Sequence, residues 1–119
     1  PIAHGVVCGT LVAAATRINI EALRARAPNS SALAKYAIVG RLLGADPLAR
    51  DDSARDGLLA TLEEWTRLLK LPLLSELGVA AGDFPRILAH SRGSSMKTNP
   101  IPLHNAEIER VLNLRLQAA

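Results

Sequence analysis

Cysteine occurs once in the 119 residues, at Cys8, which excludes an intrachain disulfide and any multi-cysteine zinc cluster. A single thiol fits a reducing cytoplasm, the compartment expected here. Aromatic side chains are almost as scarce, with Tyr36, Trp65 and Phe84 making up the whole set. The core must therefore come from Leu, Ile, Val and Ala, which pack well between helices. The basic residues are spread singly from Arg17 to Arg115, and a nucleic-acid partner is not expected without stacking aromatics or a basic stripe. The net charge of +3 reads as a mildly basic, solvated surface. From Pro1 to Thr16 there is no Lys, Arg, Asp or Glu. That run is shorter than the roughly 18 apolar residues a membrane span needs, and no basic leader precedes it. It reads as a buried core helix, with no membrane partner. A start at Pro1, without Met and directly before such a helix, implies that an upstream segment has been removed.

What is present is helical periodicity over a length that suits one domain, residues 1–119. Gly5 to Ala27 reads as one long helix whose first half, Val6 to Ala15, is apolar on every side and hence enclosed by neighbours. Pro28 breaks it, Ser30 or Ser31 caps the next helix, and Gly44 ends that helix in a left-handed conformation. Within it, Ala37 and Gly40 permit close approach of another helix. Asp52 or Ser53 begins the most regular segment, with Leu58, Leu62, Trp65 and Leu69 on one face. Lys70 complements its C-terminal dipole and Pro72 stops it. A turn over Ser75 to Gly78 follows, then a helix capped by Asp83 and running to about His90, with Gly93 closing it. A loop spans Ser94 to Leu103. The last helix starts at His104 or Asn105, Asn105 being the better cap, and buries Ile108, Val111, Leu112 and Leu116. No stretch shows sustained two-residue alternation. The expected fold is an all-α orthogonal bundle of about five main helices.

Chemistry-bearing residues are few. His4, His90 and His104 lie too far apart for a local ligand motif, and Cys8 has no histidine at a recognised spacing. There is no Gly-rich phosphate loop and no Gly-x-Ser-x-Gly elbow. Cys8 reads as a small buried apolar side chain, and His90 and His104 as surface or capping residues. His4-Gly5, just before the long helix, allows two readings. One is a helix-terminal histidine with a local hydrogen bond. The other is a metal ligand on a rigid mount, with Gly5 letting the backbone approach something closely.

The run His4-Gly5-Val6-Val7-Cys8-Gly9-Thr10-Leu11, followed by Ile18-Asn19, resembles the iron-containing alcohol dehydrogenase family. The resemblance continues through Lys35-Tyr36-Ala37 to Gly44, through Leu68 to Val79, and through Lys97-Thr98-Asn99-Pro100 into the last helix, so it spans nearly the whole chain. It implies a dehydroquinate synthase-like helical C-terminal domain, cut from a longer two-domain enzyme. In that family Fe²⁺ or Zn²⁺ is held between domains by one Asp and three His, of which His4 matches the last. The other three ligands would lie upstream of Pro1, as would the domain that binds NAD or NADP. The resemblance implies hydride transfer between a small alcohol or aldehyde and the nicotinamide. It assigns no catalytic or cofactor-binding residue to this chain, which alone should be inactive. Its partners would be its own nucleotide-binding domain and further copies in a homo-oligomer. Ala3 stands where many members have Pro, which marks a divergent branch and leaves the substrate open. The glycerol dehydrogenase and dehydroquinate synthase groups share the two-domain plan. The competing expectation is a non-catalytic helical interaction module.

Overall fold

A computed structural model describes residues 3–44 and 46–117, with the backbone alone at 94 and 95. Pro1 and Ile2, at the head of the uncharged run, lie outside the described residues. Six helical segments follow in order: α1 (His4–Arg26), α2 (Ser31–Leu43), α3 (Asp51–Leu68), α4 (Phe84–Ala89), the single turn α5 (Ser94–Lys97) and α6 (Asn105–Leu116). Two 3₁₀ turns, Ser75–Leu77 and Ala81–Asp83, join α3 to α4. No strand occurs among the described residues. The chain is all-helical, and its five main helices are the five expected. The loop expected over Ser94 to Leu103 holds the extra turn, α5.

The core forms around the second half of α1. Ile18, Ile20 and Leu23 are fully buried, and Leu33 of α2, Leu59 of α3, Ile108 and Val111 of α6, and Ile101 and Leu103 before α6 pack with them. A smaller cluster joins Leu74, Phe84 and Leu112. Each apolar side chain of this size contributes roughly 1.5–3 kcal/mol when buried, so α1 is the element that the others close on.

Small residues set the closest helix pair. At Gly40 an added Cβ would lie 2.0 Å from the Ala54 carbonyl oxygen, and Ala37 one turn earlier is fully buried. The backbones of α2 and α3 meet there, as the Ala37/Gly40 spacing predicts.

Several local expectations are corrected. The first half of α1 is not enclosed: Thr10, Ala13 and Ala14 face inward, while Cys8 and Val12 are exposed. Uniform apolarity would allow any side of the helix to be buried, but the other helices cover only one side of it. Along α3 the stripe is buried at Leu58 and half-buried at Leu62 but then leaves the core, with Trp65 45% and Leu69 70% exposed; Thr66 is buried instead, its hydroxyl donating to the Leu62 carbonyl. Gly44 ends α2 with φ −84°, not left-handed. Glycine suits that position because an added Cβ would sit 2.6 Å from the Gly40 carbonyl oxygen. The left-handed positions are Gly78 and Lys70, the latter just before Leu71 and Pro72 leave the α3 axis.

The caps also shift. Ser30 Oγ accepts from the Ala32 N–H as expected, but α3 begins at Asp51 after Arg50, with Asp51 and Asp52 in the first turn where the dipole favours them. Asp83 is the N-cap residue of α4 as expected, but its carboxylate makes no bond into that helix; it accepts from the Ala80 N–H and closes the preceding 3₁₀ turn. His104, not Asn105, is the N-cap residue of α6. There the Glu107 carboxylate reaches back to the His104 N–H at 2.8 Å, half of a capping box.

The two helical glycines Gly40 and Gly57 should respond oppositely to alanine. Gly40→Ala drives a methyl into the Ala54 carbonyl and should lower stability by about 1–3 kcal/mol, beyond the roughly 1 kcal/mol of helix propensity it gains. Around Gly57 nothing lies within 4 Å of an added Cβ, so Gly57→Ala should gain up to about 1 kcal/mol. Urea unfolding of both variants checks the pair. Equal effects would show that α2 and α3 do not touch at Gly40.

Candidate functional site

His4 is the first residue of α1, and its side chain is exposed. One helical turn on, the Cys8 sulfur lies 3.3 Å from His4 Nε2. Cys8 is therefore neither buried nor without a histidine partner, contrary to expectation. The signal was in the sequence: positions 4 and 8 stand at i, i+4, which puts both side chains on one helix face. The apolar neighbours of Cys8 in the sequence point to burial, and only its spacing from His4 points the other way. At Gly5 an added Cβ would meet nothing within 4 Å, so the described residues do not themselves require glycine there.

His90 closes α4 and His104 begins α6, both exposed. Among the described residues no three His, Cys, Asp or Glu side chains converge on one point, so the three histidines do not form a ligand set within this chain. The resolved acid–base shifts belong to surface ion pairs. Hydrogen bonding and charge from Arg55, aided by the charge of Arg24, hold the Asp52 carboxyl below its ordinary range, and Arg67 does the same for Glu64. Of the surface hollows, one of about 330 Å³ is lined by Arg92, Met96, Lys97, Asn99, Pro102 and Leu103 and does not include His4.

What positions His4 is the anchoring of α1 by two polar groups. Near its middle, buried Asn19 exchanges amide hydrogen bonds with Asn99: Asn99 Nδ2 donates to Asn19 Oδ1 at 2.8 Å, and Asn19 Nδ2 donates to Asn99 Oδ1 at 3.2 Å. Asn19 Nδ2 also lies 3.3 Å from the Tyr36 hydroxyl, and Asn99 Nδ2 donates to the Ile101 carbonyl. Three residues from widely spaced stretches thus meet on one face of α1. Closer to the head of the helix, the Thr10 hydroxyl donates to the Pro72 carbonyl and accepts from Arg115 at 2.8 Å. Arg115 also donates to the carbonyls of Leu71 and Pro72, while its own carbonyl accepts from the Leu74 N–H. Between them these groups fix α1 along its axis and leave its first two turns projecting with their outer face open. Sequence reasoning did not find Thr10 and Arg115, since neither belongs to a recognisable motif.

No known protein family, curated protein or solved structure matches this chain.

Removing one amide from the Asn19–Asn99 exchange leaves buried polar atoms unpaired. Asn19→Ala should cost about 1–3 kcal/mol in chemical denaturation, whereas exposed Asn113→Ala on α6 should stay within about 0.5 kcal/mol of the parent. Equal values for the two would show that the exchange does not anchor α1.

Proposed function

We propose that this chain is the C-terminal helical part of an iron-type, metal-dependent alcohol dehydrogenase, with His4 as one metal ligand. The observation that carries the reading is the state of His4: its imidazole stands on the open first turn of a helix held at two levels further along. A ligand needs a rigid mount and an accessible nitrogen. Further support comes from the Asn19, Tyr36 and Asn99 group, because each of its members lies in a stretch that carries the family resemblance. On this reading the fold is the orthogonal, dehydroquinate synthase-like bundle of that family.

An imidazole nitrogen suits Fe²⁺ and Zn²⁺ alike, so the residue fits the implied metal. Among the described residues no three His, Cys, Asp or Glu side chains gather, and on this reading the chain supplies one ligand of four. The other ligands, one Asp and two His, are assigned to a preceding nucleotide-binding domain, as is the site for NAD or NADP. Bound there, the cation would act as a Lewis acid toward the oxygen of a small alcohol or aldehyde. The task of this chain is then to bind and orient: α1 aims His4 outward, and the buried contacts of Asn19 and Thr10 keep it from drifting. A cytoplasmic location and assembly with further copies belong to the same proposal.

A second reading has its own observation. Leu42 is 77% and Leu48 90% exposed, and Ile38 of α2 and Leu68 of α3 also face solvent. Such surface suits a partner. A non-catalytic interaction module would use it without any metal. Concentration-dependent association that metal chelation leaves unchanged would favour that module.

The dehydrogenase reading predicts that the 119-residue chain alone reduces neither NAD nor NADP with any alcohol. In the longer protein, His4→Ala should lower metal affinity at least about 10-fold and activity with it, since losing even an outer partner of a ligand costs that much. The thermal midpoint of the helical domain should barely move, because His4 lies outside the core. Equal metal content and equal activity in parent and variant would overturn the reading.

A further inference from the structure

The hollow beside α5 gathers positive charge that no carboxylate of its lining offsets. Arg92 and Lys97 both line it, and neither Asp nor Glu does. Arg92 donates at 2.7 Å to the Asn105 side-chain oxygen, a neutral partner that orients the guanidinium and leaves its charge and most of its five N–H donors available. Among the described residues Lys97 makes no hydrogen bond or ion pair. Arg17, Arg26, Arg41 and Arg86, by contrast, each pair with a carboxylate. Glu107, on the first turn of α6, is already committed to Arg26 and the His104 N–H. The rest of the lining is mainly apolar: Met96, half-buried against the main core, Pro102 and buried Leu103. These walls are held before any ligand arrives. Asn99, the remaining lining residue, is tied to Asn19 and to the Ile101 carbonyl, and the Pro102 carbonyl accepts from Arg26 at 2.9 Å.

We infer that this hollow binds a small organic phosphate monoester, its phosphate held by Arg92 and Lys97 and its apolar body against Met96, Pro102 and Leu103. Charge decides the head. A phosphate monoester carries about −1.5 to −2 near pH 7, which matches two cations, whereas a carboxylate leaves one of them without a counter-charge. Arginine supplies directed N–H donors and lysine a point charge, and both suit phosphate oxygens. Volume bounds the body. At the roughly 30 Å³ that a water molecule takes in the liquid, a hollow of about 330 Å³ has room for about ten non-hydrogen atoms, a phosphate and a body of about six carbons. His4 does not line the hollow, so the site stands independently of the dehydrogenase reading.

The test is titration of the 119-residue chain with hexyl phosphate near neutral pH and at low salt, followed by the methyl NMR resonance of Met96, the only methionine in the sequence. The resonance should shift and saturate. Inorganic phosphate, which lacks the apolar body, and hexanoate, which lacks the second charge, should each bind at least about 10-fold more weakly. Lys97→Met and Arg92→Met keep an apolar stem and remove the charge, and each should weaken hexyl phosphate at least about 10-fold. Lys35→Met, which removes an exposed cation of α2 outside the hollow, should leave the affinity unchanged. All three positions are exposed, so circular dichroism should report unchanged helicity in each variant. An unmoved Met96 methyl, or parent affinity in either Lys97→Met or Arg92→Met, overturns the site. An equal loss in Lys35→Met shows attraction to the net positive charge alone and overturns it as well. Hexanoate or inorganic phosphate binding as tightly as hexyl phosphate overturns the assignment of the ligand class.

Discussion

The middle of α1 must bury a carboxamide. Asn19 sits between Ile18 and Ile20, both fully enclosed, and an amide in such surroundings costs several kcal/mol unless its donors and acceptor are matched. Asn99 matches them, and in doing so draws the segment before α6 onto α1 while the Ile101 carbonyl takes the remaining amide proton. Ile101 and Leu103 then seal the core beside Ile108 and Val111. The placement of α6 follows, and with it the reach of Arg115 to Thr10 and to the carbonyls after α3. A single buried side chain thereby links residues some 80 positions apart.

The helices could be read from the chain because each has a local cause. Proline at 28 and 72, serine at 30 and the spacing of Ala37 and Gly40 act within a turn or two, and their effects appear where expected. Expectations about burial fared less well. The apolar character of Val6 to Ala15 and the stripe ending at Trp65 and Leu69 show what a segment tolerates, while the extent of the neighbouring helices decides what is covered. Gly44 was placed correctly but for a different reason, crowding against the Gly40 carbonyl instead of backbone handedness. At the site, His4 makes the local hydrogen bond expected of a helix-terminal histidine, with Cys8 one turn on as its partner. For Cys8 the apolar neighbours in sequence point to burial, while the i, i+4 spacing from His4 puts it on the exposed face.

Stability and chemistry are carried by separate parts of the chain. The residues that hold the bundle together, Ile18, Asn19, Leu23 and Arg115 among them, lie along α1 and α6 away from the first turn of α1. His4 and Cys8 are exposed and contribute little to the core. The ion pairs of Asp52 with Arg55 and of Glu64 with Arg67 lie on α3, where their exposed carboxylates add little to either task. Exposed leucines on α2 and α3 leave apolar surface that the other helices do not cover.

The central claim is that the bundle stands on its own and offers His4 at its edge as the histidine that meets a metal. Heteronuclear NMR of the chain during Zn²⁺ addition tests it directly, because the three imidazoles and the core amides are observed together. The account predicts that the His4 ring resonances shift or broaden first, while those of His90 and His104 and the amides of residues 18–23 stay in place. Equal response of all three histidines, or movement of the core amides with the metal, would contradict it.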